Sequence, residues 1–414
     1  MAGIKLFPIA GMNNVSADDA LQRGGDAPKL FVRDALNVDI SDTGRIALRK
    51  GADQVSALNF KNIWQSPLHK DVFATLDHDV VLVNPRDWSH RILGENIVGQ
   101  YASYKVVNNL VYICTDIDLF VFDGVALTAL NVPLPYFSKE PILGDGGQLP
   151  HGNYVIAMSL LKNGRESGLS ESRLIKIDND LTQTNPDFAI NSLKKIQINI
   201  LELKLLNIDA VRVYITYTNG SVLRHYDDFN INGLGSNIDI LSVDKLGFEA
   251  QFENYSPMPI GKFFDFWNGR LLTADKNIIY FSEPLAYHLN DEKYGFVMLP
   301  QRITFLMPVD GGIWVGQVDH VVFLSGGQPD EMTFIRKTAH APVPSSAMLV
   351  DSETVGSDIS QGGAKSALWL AENGYVIGTS TGQIIELHAG TLKGITSKSG
   401  RSVRLGRRII TALG

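Results

Sequence analysis

The sequence predicts an all-β fold, a β-propeller of about six blades interrupted by an inserted β-sandwich. Short apolar strands joined by tight turns recur along the chain. The first three repeats start at Ala35, Val72 and Leu110, which are 37 and 38 residues apart. A later pair starts at Leu271 and Ile313, 42 apart, and a sixth repeat starts at Tyr375. A period near 40 residues is the signature of propeller blades. Helical periodicity is almost absent, and residues 18–23 are the best candidate for a helical turn.

Each repeat places turn-forming residues between two strands. The turns are Ser41-Asp42-Thr43-Gly44, Asp77-His78-Asp79, Asp116-Ile117-Asp118, Asp275-Lys276-Asn277, Gln317-Val318-Asp319 and Thr379-Ser380-Thr381-Gly382. Asp, Asn and Gly tolerate the left-handed backbone that tight hairpins need. Stretches 119–122 and 321–324 are apolar almost continuously. That pattern marks strands covered on both faces, as sheets in a propeller are. The gap before the sixth repeat holds residues 339–363, rich in Ser, Pro, Gly and Asp, and reads as a long loop.

Between the third and fourth repeats the spacing is about four times too long, which calls for an insert. The expected division is 1–135 for the N-terminal arm and blades one to three, 136–258 for the insert, and 259–414 for blades four to six with a basic C-terminal segment. Pro133, Pro135 and Pro141 mark the way in, and Pro257 and Pro259 the way out. Stretches 152–161, 196–206, 211–217 and 238–241 read as strands, with turns at Lys162-Asn163-Gly164-Arg165 and Asn219-Gly220. Several short strands in about 120 residues suggest a sandwich.

Composition narrows the function. The 414 residues are 44% hydrophobic and 20% charged, with a net charge of −7. That balance suits a globular protein and argues against a generic nucleic-acid coat. The one cysteine, Cys114, excludes an internal disulfide and reads as a small core residue. No apolar run reaches the roughly 20 residues of a membrane span, and no signal peptide is visible.

No catalytic spacing stands out. Gly144-Asp145-Gly146-Gly147 lacks a following Lys-Ser or Lys-Thr and reads as a flexible linker. Asp42-Thr43-Gly44 lacks the Ser and the aromatic of a sialidase hairpin, because Ile40 holds the Ser position. The nine histidines, with His69, His78 and His90 in one region, read as exposed turn and loop residues. Trp64, Trp88, Trp267, Trp314 and Trp369 read as blade core before they read as a sugar platform. No catalytic, cofactor-binding or metal-ligating residue is expected. The C-terminal segment holds Lys393, Lys398, Arg401, Arg404, Arg407 and Arg408, with no acid after Glu386. Two readings stay open for it. It contacts phosphate or an acidic neighbour, or it is a solvated tail or last strand.

Two stretches carry a resemblance. The opening Phe7-Pro8-Ile9-Ala10-Gly11-Met12-Asn13-Asn14 is followed by Ala35-Leu36-Asn37-Val38-Asp39 and then Gly44-Arg45-Ile46-Ala47-Leu48-Arg49-Lys50-Gly51. This order resembles the start of nozzle or tail-tube-tip proteins of short-tailed bacteriophages. The hairpin would place Ile46 and Leu48 inward. The run from Gly152-Asn153-Tyr154 to Glu166-Ser167-Gly168-Leu169-Ser170, with Val211-Arg212-Val213-Tyr214, is similar to immunoglobulin-like, fibronectin-type-III-like modules.

The resemblance implies a structural virion protein and no enzyme. Such subunits form a ring, commonly a homohexamer, beneath the portal and adaptor, and meet tail fibres or other tail proteins. Double-stranded DNA passes through, and assembly takes place in the host cytoplasm. An acidic or mixed channel lining would let DNA slide. Loops 339–363 and 141–150 are the gate candidates. The alternatives are a carbohydrate- or receptor-binding propeller at the tail tip and a polysaccharide-degrading propeller enzyme.

Overall fold

The computed structural model describes residues 8–23, 29–41, 43–49, 51, 53–67, 70–178, 193–233, 235–337, 339–356, 363–406 and 408–414. Repeats two to six each become a four-stranded antiparallel sheet. Blade two is Lys61–Gln65, Val72–Leu76, Asp79–Val83 and His90–Gly94. Blade three is Ala102–Val107, Leu110–Thr115, Leu119–Phe122 and Leu127–Ala129. Blade four is Phe263–Trp267, Arg270–Asp275, Ile278–Phe281 and Phe296–Met298. Blade five is Ile303–Val309, Gly312–Gln317, Val321–Ser325 and Thr333–Lys337. Blade six is Met348–Val350, Ser366–Ala371, Gly374–Gly378 and Ile384–Glu386.

Four of the six predicted turns use left-handed backbone, with Gly44 and Gly382 at φ 77° and 82°, while 116–118 and 317–319 hold no residue of positive φ. Asp77 and Lys276 take left-handed φ of 52° and 49°. Turn aspartates cap backbone N–H groups. Asp116 accepts from Gly99 and Gln100, both at 2.7 Å, and Asp123 accepts from Val125 and Ala126, both at 2.8 Å. The repeat at Tyr375 is one strand out of phase with the others. It covers the third and fourth strands of blade six, and the second strand, Ser366–Ala371, precedes it.

The core lies between blades, face to face. Phe73 and Val80 of blade two meet Ile113 and Phe122 of blade three. Cys114 and Leu119 of blade three meet Phe264 and Leu271 of blade four. Leu272 and Ile279 of blade four meet Ile313 and Val322 of blade five. Trp314 and Phe323 of blade five meet Trp369 and Val376 of blade six. Both faces of each middle strand are covered, which explains the unbroken apolar runs. Each such side chain contributes about 1.5–3 kcal/mol by leaving water. Cys114 is the core residue expected, and burial pushes its thiol up to about 12. Trp314 lies flat against Gly378, where a Cβ would overlap the indole, and its Nε1 donates to the Thr379 carbonyl at 2.9 Å.

Blade one departs from expectation. Val38–Ile40 and Ile46–Leu48 form a hairpin that gains no further strands. Ile46 and Leu48 point outward, 44% and 79% exposed, because no second sheet covers them. A second hairpin, Gly400–Leu405 with Arg408–Leu413, stands beside blade six. Five complete blades therefore share the ring with two terminal hairpins. Asp42 and Lys50 lie outside the described residues. The expected helical turn is a short 3-10 turn, Asp18–Ala20, followed by extended chain at Gln22–Arg23.

Between blades three and four stand two sheets around one core. Ile142–Asp145, Lys194–Asn199 and Asn237–Ile240 form one sheet. Gly152–Lys162, Arg165–Glu166, Arg173–Ile177, Ala210–Ile215 and Arg224–Asn230 form the other. Ile156, Met158, Ile196, Ile198, Val213 and Ile238 fill the space between. Tyr255–Pro257 already pairs with Leu289–Asp291, so the chain is back on the propeller by then.

Two loop readings are corrected. Residues 141–150 contain the edge strand Ile142–Asp145, paired with Lys194–Asn199, so Gly144 and Asp145 are strand and not linker. Residues 339–363 contain the inner strand of blade six and a short helix, Ser352–Val355; residues 357–362 lie outside the described residues. Small polar residues hid a three-residue strand there.

Glu166 ties the insert together. Its carboxylate accepts from Ser159 Oγ and Tyr214 Oη, both at 2.6 Å, and from Arg212 at 2.5 Å. Arg212 also grips Asp228 at 2.6 and 2.7 Å. The carboxylate and guanidinium are 12% and 19% exposed, so removing Glu166 leaves the Ser159 and Tyr214 hydroxyls without their acceptor and Arg212 with Asp228 as its partner.

Glu166→Ala is expected to cost about 1–3 kcal/mol of insert stability, read by hydrogen exchange of the Ala210–Ile215 amides; unchanged protection there would refute the assignment. Gly378→Val is expected to cost about 1–3 kcal/mol through overlap with Trp314. The midpoint of denaturant unfolding, followed by circular dichroism, checks it.

Candidate functional site

The inner strands of the five blades and the C-terminal hairpin surround a cavity of about 680 Å³. Alternation along each strand sets what reaches it. In Ala102–Val107, Ala102 and Tyr104 pack toward blade two. Ser103 and Lys105 turn the other way, toward blade four, where Ser103 Oγ donates to the Lys262 carbonyl at 3.3 Å and Lys105 pairs with Asp265.

Four cations line the cavity, Lys105, Lys262, Lys365 and Arg401, against one carboxylate, Asp265. Asp265 is buried and already held by Lys105. Among the described residues, Lys262, Lys365 and Arg401 have no carboxylate partner. The Lys262 ammonium lies 5.7 Å over the Phe263 ring. One wall is aromatic, with Trp64 stacked on Tyr104 at 5.4 Å. The Tyr104 hydroxyl is buried and has no hydrogen-bond partner. Burial pushes its pKa up, and the charge of Arg401 opposes the shift.

The basic C-terminal residues scatter. Arg401 enters the cavity. Arg404 pairs with Asp351 at 2.8 Å and Glu353 at 3.5 Å, and Arg408 with Asp39 at 3.4 Å. Those two hold the chain to itself. Lys393 is exposed, and its backbone takes part in a clasp. Its N–H donates to Asn14 Oδ1 and its carbonyl accepts from Asn14 Nδ2, both at 2.9 Å. Lys398 is exposed beside a second cavity that Lys262 and Arg302 also line. Arg407 lies outside the described residues. The segment contains a last hairpin, and among its described basic residues Arg401 faces the central cavity.

No family model matches the chain, and neither does any curated protein. Solved structures with some likeness include Sqt1 of Saccharomyces cerevisiae, 10% identical over 84% of this chain and 77% of that one, with a TM-score of 0.31. BBS1N in complex with ARL6DN is 9% identical over 86% and 90%, with a TM-score of 0.33. Hsv2p of Kluyveromyces lactis is 8% identical over 85% and 88%, with a TM-score of 0.28. At these values the propeller rests on the sheets described above and not on the likeness.

Other candidate residues fall as follows. Trp267, Trp314 and Trp369 are buried in blades, as expected, and Trp64 and Trp88 are half-buried. His78 Nδ1 meets the Val98 carbonyl at 2.9 Å, and His69 lies outside the described residues. His288 and His320 are buried, against the expectation of exposed histidines. His288 Nε2 donates to the Glu166 carbonyl at 2.8 Å, and burial holds its pKa below the usual range. Among the described residues no three His, Cys, Asp or Glu side chains gather as metal ligands. Lys105, Lys262, Lys365 and Tyr104 went unnoticed in the sequence. They come from separate elements, and no local spacing links them.

Asn14→Ala removes both side-chain bonds of the clasp, each worth about 0.5–1.5 kcal/mol. The expected result is faster limited proteolysis near the N-terminus, with the blade cores unfolding as before.

Proposed function

We propose that the chain is a ring-forming structural subunit of a bacteriophage tail, of the nozzle or hub kind, lining the genome-ejection channel below the portal and adaptor. The observation that carries this is uncovered apolar surface on the two terminal hairpins. Leu36, Leu48 and Leu405 are 82%, 79% and 66% exposed. Large apolar side chains left this open on two hairpins that meet through Asp39 and Arg408 offer a surface for association. A closed ring needs two different patches on each subunit. The insert supplies a second set, with Ile142, Leu174 and Leu205 exposed. The occupant of each patch is then the next copy of this chain.

The resemblance supports the same reading. Its residues fall at the joint of the ring. Asn13 is fully buried, and its Oδ1 accepts from the N–H groups of Val15 and Ser16. Asn14 clasps Lys393, and Asp39 meets Arg408. The insert interrupts the propeller between blades three and four, and modules of the resembled kind commonly interrupt propellers in such proteins. The cavity does not favour the polysaccharide-degrading alternative, because its one carboxylate is bound to Lys105. Three of the five tryptophans are buried in blades, which leaves few for the carbohydrate-binding alternative.

Quantitative mass spectrometry of purified particles tests the assignment. The chain is expected at about half the portal's copy number, as six copies under a twelve-fold portal require. Absence, or abundance like that of a capsid protein, overturns it. Leu48→Lys with Leu405→Lys is expected to leave the chain folded and keep it out of the particle.

A further inference from the structure

We propose that the central cavity is a binding site for a small, multiply charged oxyanion carrying two or more phosphoryl or carboxyl groups. Four cations against one carboxylate leave an excess of three positive charges there, in a chain whose net charge is −7. Cations brought together between low-dielectric walls repel one another and focus a field that draws in an anion. Lys262, Lys365 and Arg401 are exposed and free to meet a ligand. Here the backbone fixes their origins around one space. Lys262 stands at the edge of blade four, Lys365 just before the second strand of blade six, and Arg401 on the C-terminal hairpin.

Tyr104 is a second, independent pointer. Its hydroxyl is buried beside this space with no hydrogen-bond partner. Buried polar groups are nearly always paired, so this hydroxyl, in the wall of a cationic cavity, is a donor for a ligand that displaces the packing around it. Trp64, stacked on Tyr104, holds the ring in place. Lys105 is neutralised by Asp265, so recognition falls to Lys262, Lys365, Arg401 and Tyr104. The cavity's 680 Å³ lies within the range of small-molecule sites and exceeds what a single phosphate fills. Cations on three separate elements call for an anion with more than one charged group. Bound there, it would link blades four and six to the C-terminal hairpin and strengthen the closure of the ring.

Titration calorimetry of the full chain tests this with two probes, inorganic triphosphate and citrate, against sodium chloride at matched ionic strength. Saturable binding of either probe is expected, with a thermal midpoint that rises with its concentration. Preference for triphosphate assigns a phosphoryl ligand, and preference for citrate a carboxylate one. Arg401→Gln is expected to weaken binding roughly 10-fold or more, the worth of one charged hydrogen bond. Tyr104→Phe weakens binding while leaving the unliganded fold at least as stable. Arg404→Gln, whose partners are Asp351 and Glu353, leaves affinity unchanged. Binding no stronger than that of sodium chloride overturns the proposal. So does equal weakening by Arg401→Gln and Arg404→Gln. Neither result bears on the copy number in particles, so this site and the tail assignment fail separately.

Discussion

Closure of the ring is the constraint on which the rest of the structure depends. Blades hold each other pairwise, through faces that are apolar and fully buried. Between blade six and blade two that arrangement is interrupted. Two hairpins from opposite ends of the chain stand there, and no strand is shared between them. Ile409 packs against blade six, and polar ties add to that contact. Asn14 clasps the Lys393 backbone, Asp39 meets Arg408, and Ser402 Oγ donates to the Ser346 carbonyl at 2.5 Å. Exposed polar ties of this sort each contribute little, since water competes for the same groups. The joint is therefore the softest part of a stiff molecule.

That weakness has two consequences for function. A hairpin without a covering sheet keeps its apolar side chains in water, and these become the surface offered to the next copy in the proposed ring. The same hairpin brings Arg401 to the centre, facing cations that the blades supply. Under both proposals, closure, association and anion binding meet at one short element, Gly400–Leu405. A ligand or neighbour that secures this hairpin also secures the ring.

The insert is fixed by a different kind of contact. Glu166 organises Ser159, Arg212 and Tyr214 inside it, while its own carbonyl receives His288 from the propeller. Arg165 next to it donates to the carbonyls of Ala129 and Leu130, at 2.9 and 3.3 Å. One two-residue strand therefore joins the insert's internal network to blade three and to the 288 region. Partial burial makes these charged contacts stronger than those at the terminal joint.

The sequence by itself determined the all-β propeller class, the blade period and several of the hairpin turns. Those features rest on short-range rules: alternation, left-handed turn residues and apolar runs for strands covered on both faces. Where the local pattern was weak, reading failed. Met348–Val350 lay among small polar residues, and Arg224–Asn230 is polar and held by pairing with Ala210–Ile215. Only the tertiary structure decided that Ile46 and Leu48 stay exposed, that Arg404 and Arg408 are spent on internal pairs, and that Lys262, Lys365, Arg401 and Tyr104 share one cavity. Those outcomes depend on which distant elements meet when the ring closes, and no spacing along the chain encodes that meeting.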